Sequence, residues 1–261
     1  MAKLQAHRGV SSEYPENTMA AFKASLKEGY DYIEFDPKYT ADGEIVILHD
    51  HTLDRTARKP DGSCVEKGTD IRSITLKEAR TYDYGLWFSE DFRGEQIPLL
   101  TDLLDFARER GIPVKIDNVW ETFPEDMKEK LFSTVESYGE SIKVGFTCAR
   151  LETLAMAAER FPYADIHYDG GDLSAERLEK VSEIARGHHL YVWVCYANEM
   201  TSWFKGTKAT PDVCRFVRQY GELGVWILSK REELEVAVRE LDAEIIETTG
   251  HIKPEWVPEI N

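Results

Sequence analysis

Two carboxylates stand one residue apart at the end of a short apolar run of this chain. Glu34 and Asp36 close the run that begins with Tyr30-Asp31-Tyr32-Ile33. Because residues i and i+2 of a strand point to the same side, both carboxylates face one way. Two adjacent oxygen ligands are what a hard divalent cation requires, and charges in a buried run are costly unless they are paired or coordinated. The spacing therefore predicts a metal site.

A third carboxylate ends another apolar run. Asp117 follows Val114-Lys115-Ile116, and it shares a strand face with Lys115. Together with Glu34 and Asp36 it completes a predicted site for one Mg²⁺ or Ca²⁺ that leaves positions open for substrate oxygens and water.

Two histidines and an arginine supply the remaining chemistry. His7 and His49 each follow an apolar strand, and Arg8 comes directly after His7. Two imidazoles beside a carboxylate cluster suit general acid–base catalysis near neutral pH, and the planar fork of Arg8 suits a phosphate. The predicted chemistry is metal-assisted hydrolysis of a phosphodiester, with His7 and His49 as the catalytic pair.

Alternating strands and helices must position these groups. The pattern predicts nine strands: Leu4–His7, Tyr32–Pro37, Ile45–His49, Pro113–Asn118, Ile142–Thr147, Ala164–Tyr168, Leu190–Tyr196, Gly224–Leu228 and Glu244–Glu247. It predicts seven helices: Thr18–Glu28, Leu99–Arg110, Pro124–Tyr138, Leu151–Arg160, Ser174–Arg186, Pro211–Tyr220 and Arg231–Leu241. This alternation predicts an α/β fold, a (β/α)8 TIM barrel in one domain over residues 1–261. Since a barrel has eight strands, either Ala164–Tyr168 or Leu190–Tyr196 is expected to lie outside it or not to be a strand.

Two segments depart from the alternation. The chain passes from strand to strand through Asp42-Gly43 without a helix, and a long irregular insertion follows the third strand over about residues 51–96. Loops of this length in compact domains are usually functional or disordered. This one leaves the end of the His49 strand, where a barrel keeps its active site.

Composition limits the partners. The formal net charge of the 261 residues is −16, which argues against nucleic acid and anionic membranes as partners, since both are bound by clustered Lys and Arg. The chain has no apolar stretch near the roughly 18 residues that span a bilayer and no apparent leader. Its four cysteines show no C-x-x-C spacing, which predicts reduced thiols and a cytoplasmic protein. A small phosphodiester is the expected substrate, and the oligomeric state is left open.

The motifs together resemble a known family. His7-Arg8-Gly9, Pro15-Glu16-Asn17-Thr18, Glu34-Phe35-Asp36, His49-Asp50 and Leu53-Asp54-Arg55-Thr56 are similar to those of the glycerophosphodiester phosphodiesterases, and the likeness continues through Phe92–Leu104. The resemblance implies a (β/α)8 barrel with an insertion after the His-Asp strand. It also implies hydrolysis of glycerophosphodiesters to sn-glycerol 3-phosphate and an alcohol with Mg²⁺ or Ca²⁺. His7 and His49 would be the acid–base pair, Glu34 and Asp36 the metal ligands and Arg8 a phosphate ligand, while Asn17 would open a helix.

The chain departs from this family in its later strands. Where the family usually has Glu-x-Lys at the end of a strand, the matching positions are Asp117 and Val119. A positive charge near the phosphate is thereby lost, and Lys115 is the expected substitute for it. Ile246-Glu247-Thr248-Thr249 also differs from the family pattern.

Two other interpretations stay open. A sphingomyelinase D or lysophospholipase D type of enzyme resembles this chain at both histidines and uses Asp as the third metal ligand. A non-catalytic barrel that binds a phosphate ligand is the other alternative. Trp87-Phe88 and Trp203-Phe204 are either packing anchors or a rim for the alcohol group.

Overall fold

The computed structural model describes residues 1–260. Within this range the chain forms ten strands: β1 (Lys3–Ala6), β2 (Tyr32–Phe35), β3 (Pro37–Tyr39), β4 (Ile45–Ile47), β5 (Val114–Ile116), β6 (Val144–Cys148), β7 (Asp165–Tyr168), β8 (Leu190–Cys195), β9 (Glu222–Leu228) and β10 (Ile245–Thr248). The α-helices are α1 (Met19–Glu28), α2 (Leu76–Ala79), α3 (Leu100–Arg110), α4 (Glu125–Glu136), α5 (Leu151–Arg160), α6 (Ala175–Ile184), α7 (Pro211–Val217), α8 (Arg231–Arg239) and α9 (Val257–Ile260).

Eight of the strands close into a parallel barrel. The order around the barrel is β1, β10, β9, β8, β7, β6, β5 and β2. The first and last strands of the chain close it, with Lys3 opposite Ile245 and Ala6 opposite Thr248. The predicted (β/α)8 barrel is thus confirmed, and the carboxyl ends of all eight strands meet at one rim.

The ninth predicted strand lies elsewhere than expected. Ala164–Tyr168 and Leu190–Tyr196 both correspond to barrel strands, so the expectation that one of them lies outside was wrong. The strand outside is β4, which forms an antiparallel hairpin with β3. The insertion after it therefore separates the second and third barrel strands, β2 and β5, rather than following a third barrel strand. An apolar run indicates burial, and burial does not distinguish a barrel strand from a hairpin that packs against the barrel.

Local signals explain the limits of the first helix. Thr18 is the N-cap of α1, with its Oγ1 accepting from the backbone N–H of Ala21. The expectation that Asn17 opens this helix was wrong, because Asn17 has a left-handed backbone (φ 56°) and its side chain points to another partner. At the other end Gly29 adopts φ 87° and its N–H donates to Leu26 O, which closes the helix.

Beside a small apolar cluster that contains Tyr191 and Trp193, two larger apolar clusters hold the structure together. The larger packs the outer faces of the barrel strands against the helices, with Phe22, Ile33 and Phe146 fully buried. The smaller belongs to the insertion, where Leu53 and Ile71 pack on Val46 of β4 and on Leu48, which follows β4. The insertion is therefore anchored on the hairpin that leads to His49.

Two further features bear on the sequence predictions. Between residues 1 and 260, no helix combines the length and apolarity that crossing a membrane requires. All four cysteines are free thiols, and only Cys64 is exposed, as the absence of paired spacing predicts.

Candidate active site

Three carboxylates converge at the rim where the barrel strands end. Glu34 lies in β2, Asp36 follows it, and Asp117 follows β5, the neighbouring strand. One oxygen from each carboxylate lies within 4.8 Å of the other two. Glu34 and Asp36 are almost fully buried and Asp117 is half-buried. The structure thus brings together the three residues that the sequence predicts as metal ligands.

The His-Arg-Gly turn reaches across to this cluster. Arg8 and Gly9 both have left-handed backbones (φ 58° and 78°), and the backbone N–H of Arg8 donates to Glu34 Oε2 at 2.9 Å. Gly9 is required because a Cβ there would lie 2.6 Å from that of Ala21. The turn therefore fixes one carboxylate of the cluster with a backbone donor.

Asn17 holds the second carboxylate. Its Nδ2 donates to Asp36 Oδ2 at 2.7 Å, and both residues are buried. The guanidinium of Arg8 lies on the same oxygen, with Nε 3.3 Å from Asp36 Oδ2. Burial by itself would raise the pKa of Asp36, but the charge of Arg8 brings it below its usual value. Asp36 is thus held in its ionised form.

A chain of ion pairs connects the first turn to His49. Glu16 accepts from Arg8 at 3.1 Å and from Arg55 at 2.7 Å. Nε of Arg55 donates to Asp50 Oδ2 at 2.6 Å, and Asp50 Oδ1 lies 2.6 Å from His49 Nδ1. A carboxylate only accepts hydrogen bonds, so Nδ1 of His49 carries the proton and Nε2 is left for chemistry. This network gives Glu16 of the Pro-Glu-Asn-Thr motif and Arg55 of the Leu-Asp-Arg-Thr motif their partners.

His7 and His49 flank the carboxylate cluster in different surroundings. Both lie close enough to Asp36 that a positive charge on either imidazole would lower the pKa of Asp36. Burial lowers the pKa of His7 to about 4, and its Nδ1 is buried without a hydrogen-bond partner. The His49 side chain is 40% exposed. His7 is therefore uncharged at neutral pH, whereas His49 lies at the solvent side of the rim.

The pKa values of the other two carboxylates of the cluster, Glu34 and Asp117, are both raised. Burial, followed by the charge of Asp36, raises the pKa of Glu34 well above its usual value. The same two causes raise the pKa of Asp117 to about 7. Three carboxylates this close together repel one another unless a positive charge lies between them. Their oxygens are the ligands that a hard divalent cation prefers.

Lys115 lies inside the barrel and is already paired. Its Nζ donates to Glu247 Oε2 at 2.9 Å and lies 4.1 Å from the centre of the Trp193 ring. Gln5 donates to the same oxygen of Glu247. Burial would lower the pKa of Lys115, but the charges of Glu247 and Glu34 raise it. The ammonium is therefore held by a neighbour, and phosphate binding by Lys115 stays a prediction.

Three site residues escaped the sequence reasoning. Glu247 from β10 holds Lys115, and Asp169 at the end of β7 accepts from the Trp226 indole at 3.2 Å. Lys38 follows Asp36 by two residues in β3 and is 2% exposed. The i, i+2 rule that paired Glu34 with Asp36 would have found Lys38 if it had been extended by one step.

The aromatic pairs behave differently from each other. Trp203 is 68% exposed, and its ring lies 6.1 Å from that of Trp226. Trp87 is half-buried and packs edge-on against Phe88 at 5.6 Å. Burial therefore does not explain Trp203.

Known proteins are similar to this chain in sequence. Residues 7–233 match the Glycerophosphoryl diester phosphodiesterase family. A glycerophosphodiester phosphodiesterase of Caldanaerobacter subterraneus is 36% identical over 51% of this chain and 52% of its own length. Another, from Bacillus altitudinis, is 30% identical over 64% of this chain and 65% of its own length. The chain thus aligns with about half to two thirds of these relatives.

Solved structures are similar over the full chain. An Oleispira antarctica phosphodiesterase, in complex with the product sn-glycerol-3-phosphate, superposes with a TM-score of 0.74 at 20% identity and covers 100% of this chain and 96% of its own. A glycerophosphoryl diester phosphodiesterase from Parabacteroides distasonis has a TM-score of 0.72 at 20% identity, covering 100% and 86%. At this identity the likeness establishes the barrel fold.

Proposed function

The chain belongs to the glycerophosphoryl diester phosphodiesterase family, and we propose that it hydrolyses glycerophosphodiesters to sn-glycerol 3-phosphate and an alcohol with the help of a divalent metal. The observation that supports this most is the meeting of Glu34, Asp36 and Asp117 between two histidines at the barrel rim. The Oleispira relative binds sn-glycerol-3-phosphate as its product, which is the product proposed for this chain.

The carboxylate cluster fits Mg²⁺ or Ca²⁺. Its oxygens lie close enough for a single ion, and burial together with the negative charge of Asp36 raises the pKa values of Glu34 and Asp117. A bound divalent cation would polarise the phosphoryl oxygens. Arg8 and Asn17 would hold Glu34 and Asp36 in place as ligands through the contacts described above.

His7 and His49 are proposed to exchange protons with the substrate. His7 is uncharged at neutral pH and can accept a proton. Asp50 binds Nδ1 of His49, so that Nε2 of His49 is free to exchange a proton with the substrate. One imidazole would take the proton of the attacking oxygen and the other would protonate the leaving alkoxide. Arg8 would contribute those guanidinium donors that Glu16 and Asp36 leave unused.

A cytoplasmic location and a small-molecule substrate form part of the same proposal. The net charge of −16 disfavours nucleic acid, and free thiols are typical of a reducing compartment. The phosphate of the substrate would be attracted locally, by the metal and by single cations at the rim.

The test is release of sn-glycerol 3-phosphate from a panel of glycerophosphodiesters with Mg²⁺, Ca²⁺ or EDTA. We expect turnover that EDTA abolishes and that added metal restores. His7→Ala should lower kcat by about 10² to 10⁴-fold, the usual contribution of a general acid or base. His188→Ala, at the opposite end of the barrel before β8, is the matched control.

Two other results would redirect the proposal. Choline release from lysophosphatidylcholine without hydrolysis of glycerophosphodiesters would favour a lysophospholipase D type of enzyme. Tight phosphate binding without turnover of any diester would favour the non-catalytic barrel.

A further inference from the structure

Lys38 is a buried cation without a partner. It lies in β3 opposite Val46, and only 2% of its surface is exposed. Within residues 1–260 its ammonium forms neither a hydrogen bond nor an ion pair. Burying a charged side chain costs free energy unless an anion pairs with it. A buried ammonium without a partner therefore indicates that an anionic ligand binds to it.

The charged groups around this ammonium place it near the carboxylate cluster. The charges that attract it most are those of Asp36 and Asp117, followed by Asp50, and Arg8 repels it. Lys38 also follows Asp36 by two residues, so both side chains leave the chain on one side. The ammonium is therefore close enough to Asp36 and Asp117, which follow β2 and β5, to be attracted by both.

The carboxylates do not satisfy this charge. An ion pair requires a nitrogen–oxygen distance of 4.0 Å or less, and no carboxylate oxygen of the described residues lies that close to Lys38 Nζ. Once a divalent cation is bound by Glu34, Asp36 and Asp117, their negative charge is directed to the ion. The ion would neutralise two of the three negative charges, and the ammonium of Lys38 would still lack a hydrogen-bond acceptor, which a phosphate oxygen could supply.

Other cations near the cluster are already engaged. Lys115 donates to Glu247 at 2.9 Å, and Arg8 is held by Glu16 and Asp36. Arg55 is held by Glu16 and Asp50. Among these cations, the ammonium of Lys38 alone has all three donors free.

We propose that Lys38 binds the phosphoryl group of the substrate, donating from its ammonium to a non-bridging oxygen of a phosphate bound beside the carboxylate cluster. The proposal rests on the proposed function, since it assigns the phosphate of that same reaction to a residue of this chain. Lys38 would thus supply a positive charge near the phosphate, which the family has at the position of Val119 in this chain.

The test is to measure phosphate binding and metal binding separately. Lys38→Met keeps most of the apolar length and removes the charge. We expect its Kd for sn-glycerol 3-phosphate and for inorganic phosphate, with metal present, to rise about tenfold or more, as for loss of a charge-assisted hydrogen bond. Its Kd for Mg²⁺ or Ca²⁺ alone, by calorimetry, should stay the same or fall, because a repelling charge has been removed.

Two further variants separate the loss of the Lys38 charge from a general effect of replacing a lysine. Lys38→Arg retains the charge and should keep phosphate affinity within a few-fold of the parent. Lys59→Met, in the insertion and paired with Glu66 at 2.5 Å, is the matched control. Should Lys38→Met not fold, as judged by its thermal unfolding transition, Lys38→Gln replaces it in the same assays.

The contrary results are equally clear. Unchanged phosphate affinity in Lys38→Met together with tighter metal binding would show that Lys38 only balances the carboxylates, and would overturn the proposal. Absence of phosphate binding by the parent protein with metal present would overturn it as well. A parent protein that binds phosphate but hydrolyses no diester would refute the proposed function, while the Lys38 proposal would still be decided by the binding data.

Discussion

Asp169 offers a direct test of the electrostatics at the barrel rim. It follows β7 and accepts from the Trp226 indole at 3.2 Å. Burial raises its pKa from 3.8 to about 6. Below about pH 4 the folded and unfolded chains both hold this proton. Between pH 4 and 6 only the folded chain holds it, so the unfolded state gains in relative stability as pH rises. Above pH 6 the difference stays constant.

The magnitude follows from the shift. Since one pKa unit corresponds to about 1.4 kcal/mol, a shift of roughly two units destabilises the folded protein by up to about 3 kcal/mol above pH 6. Asp169→Asn keeps the shape of the side chain and an oxygen to accept from Trp226, but it cannot ionise. We therefore expect the variant to be as stable as the parent near pH 4 and more stable by up to about 3 kcal/mol at pH 8.

The assay is urea unfolding of both proteins at pH 4, 5, 6 and 8 in EDTA, so that metal binding adds no stability of its own. Asp126→Asn, at an exposed position of α4, is the control substitution. A stability difference that is constant from pH 4 to 8, or a variant less stable than the parent at pH 8, would refute the reasoning. A confirmed result would show that the protein keeps a destabilising charge at the rim of its site, as functional sites often do.

Three further predictions concern other parts of the molecule. Asn17→Gly keeps the left-handed backbone but removes the donor to Asp36. We expect metal affinity in calorimetry to fall about 10- to 100-fold, and an unchanged affinity would contradict this role. Gly9→Ala places a Cβ 2.6 Å from that of Ala21 at φ 78°. It should reduce the free energy of unfolding by about 3 kcal/mol or more in urea. Trp203→Ala should change stability by no more than about 0.5 kcal/mol, because the ring is 68% exposed. A raised KM would then assign Trp203 to the alcohol rim, and a large loss of stability would assign it to packing.

Periodicity alone determined most of the fold. The helix predicted over Leu151–Arg160 has those same limits in the structure, and each of the eight barrel strands overlaps a predicted strand. These elements are predictable because a strand or helix that packs on one core must repeat its apolar residues with the period of that element. The closed parallel barrel follows from their alternation.

The periodicity of apolar residues could not show which strands pair with each other. The run Ile45–His49 is as apolar as a barrel strand, yet it pairs with β3 outside the barrel. What places it there is the short Asp42-Gly43 connection, which allows an antiparallel partner but not a parallel one. The sequence contained this signal, although the apolar run outweighed it.

The motif residues of the site were visible in the sequence because each stands at the end of an apolar strand. Only the tertiary structure decided what each of them contacts. Asn17 reads as the start of a helix but holds Asp36, and Lys115 reads as a free cation but is paired with Glu247, which lies 132 residues further along the chain. Lys38 shows the converse, since its burial without a partner exists only in the folded chain. The physical reason is that the energy of a charge depends on its burial and on the charges around it, and in a closed barrel those charges come from strands that are distant in the sequence.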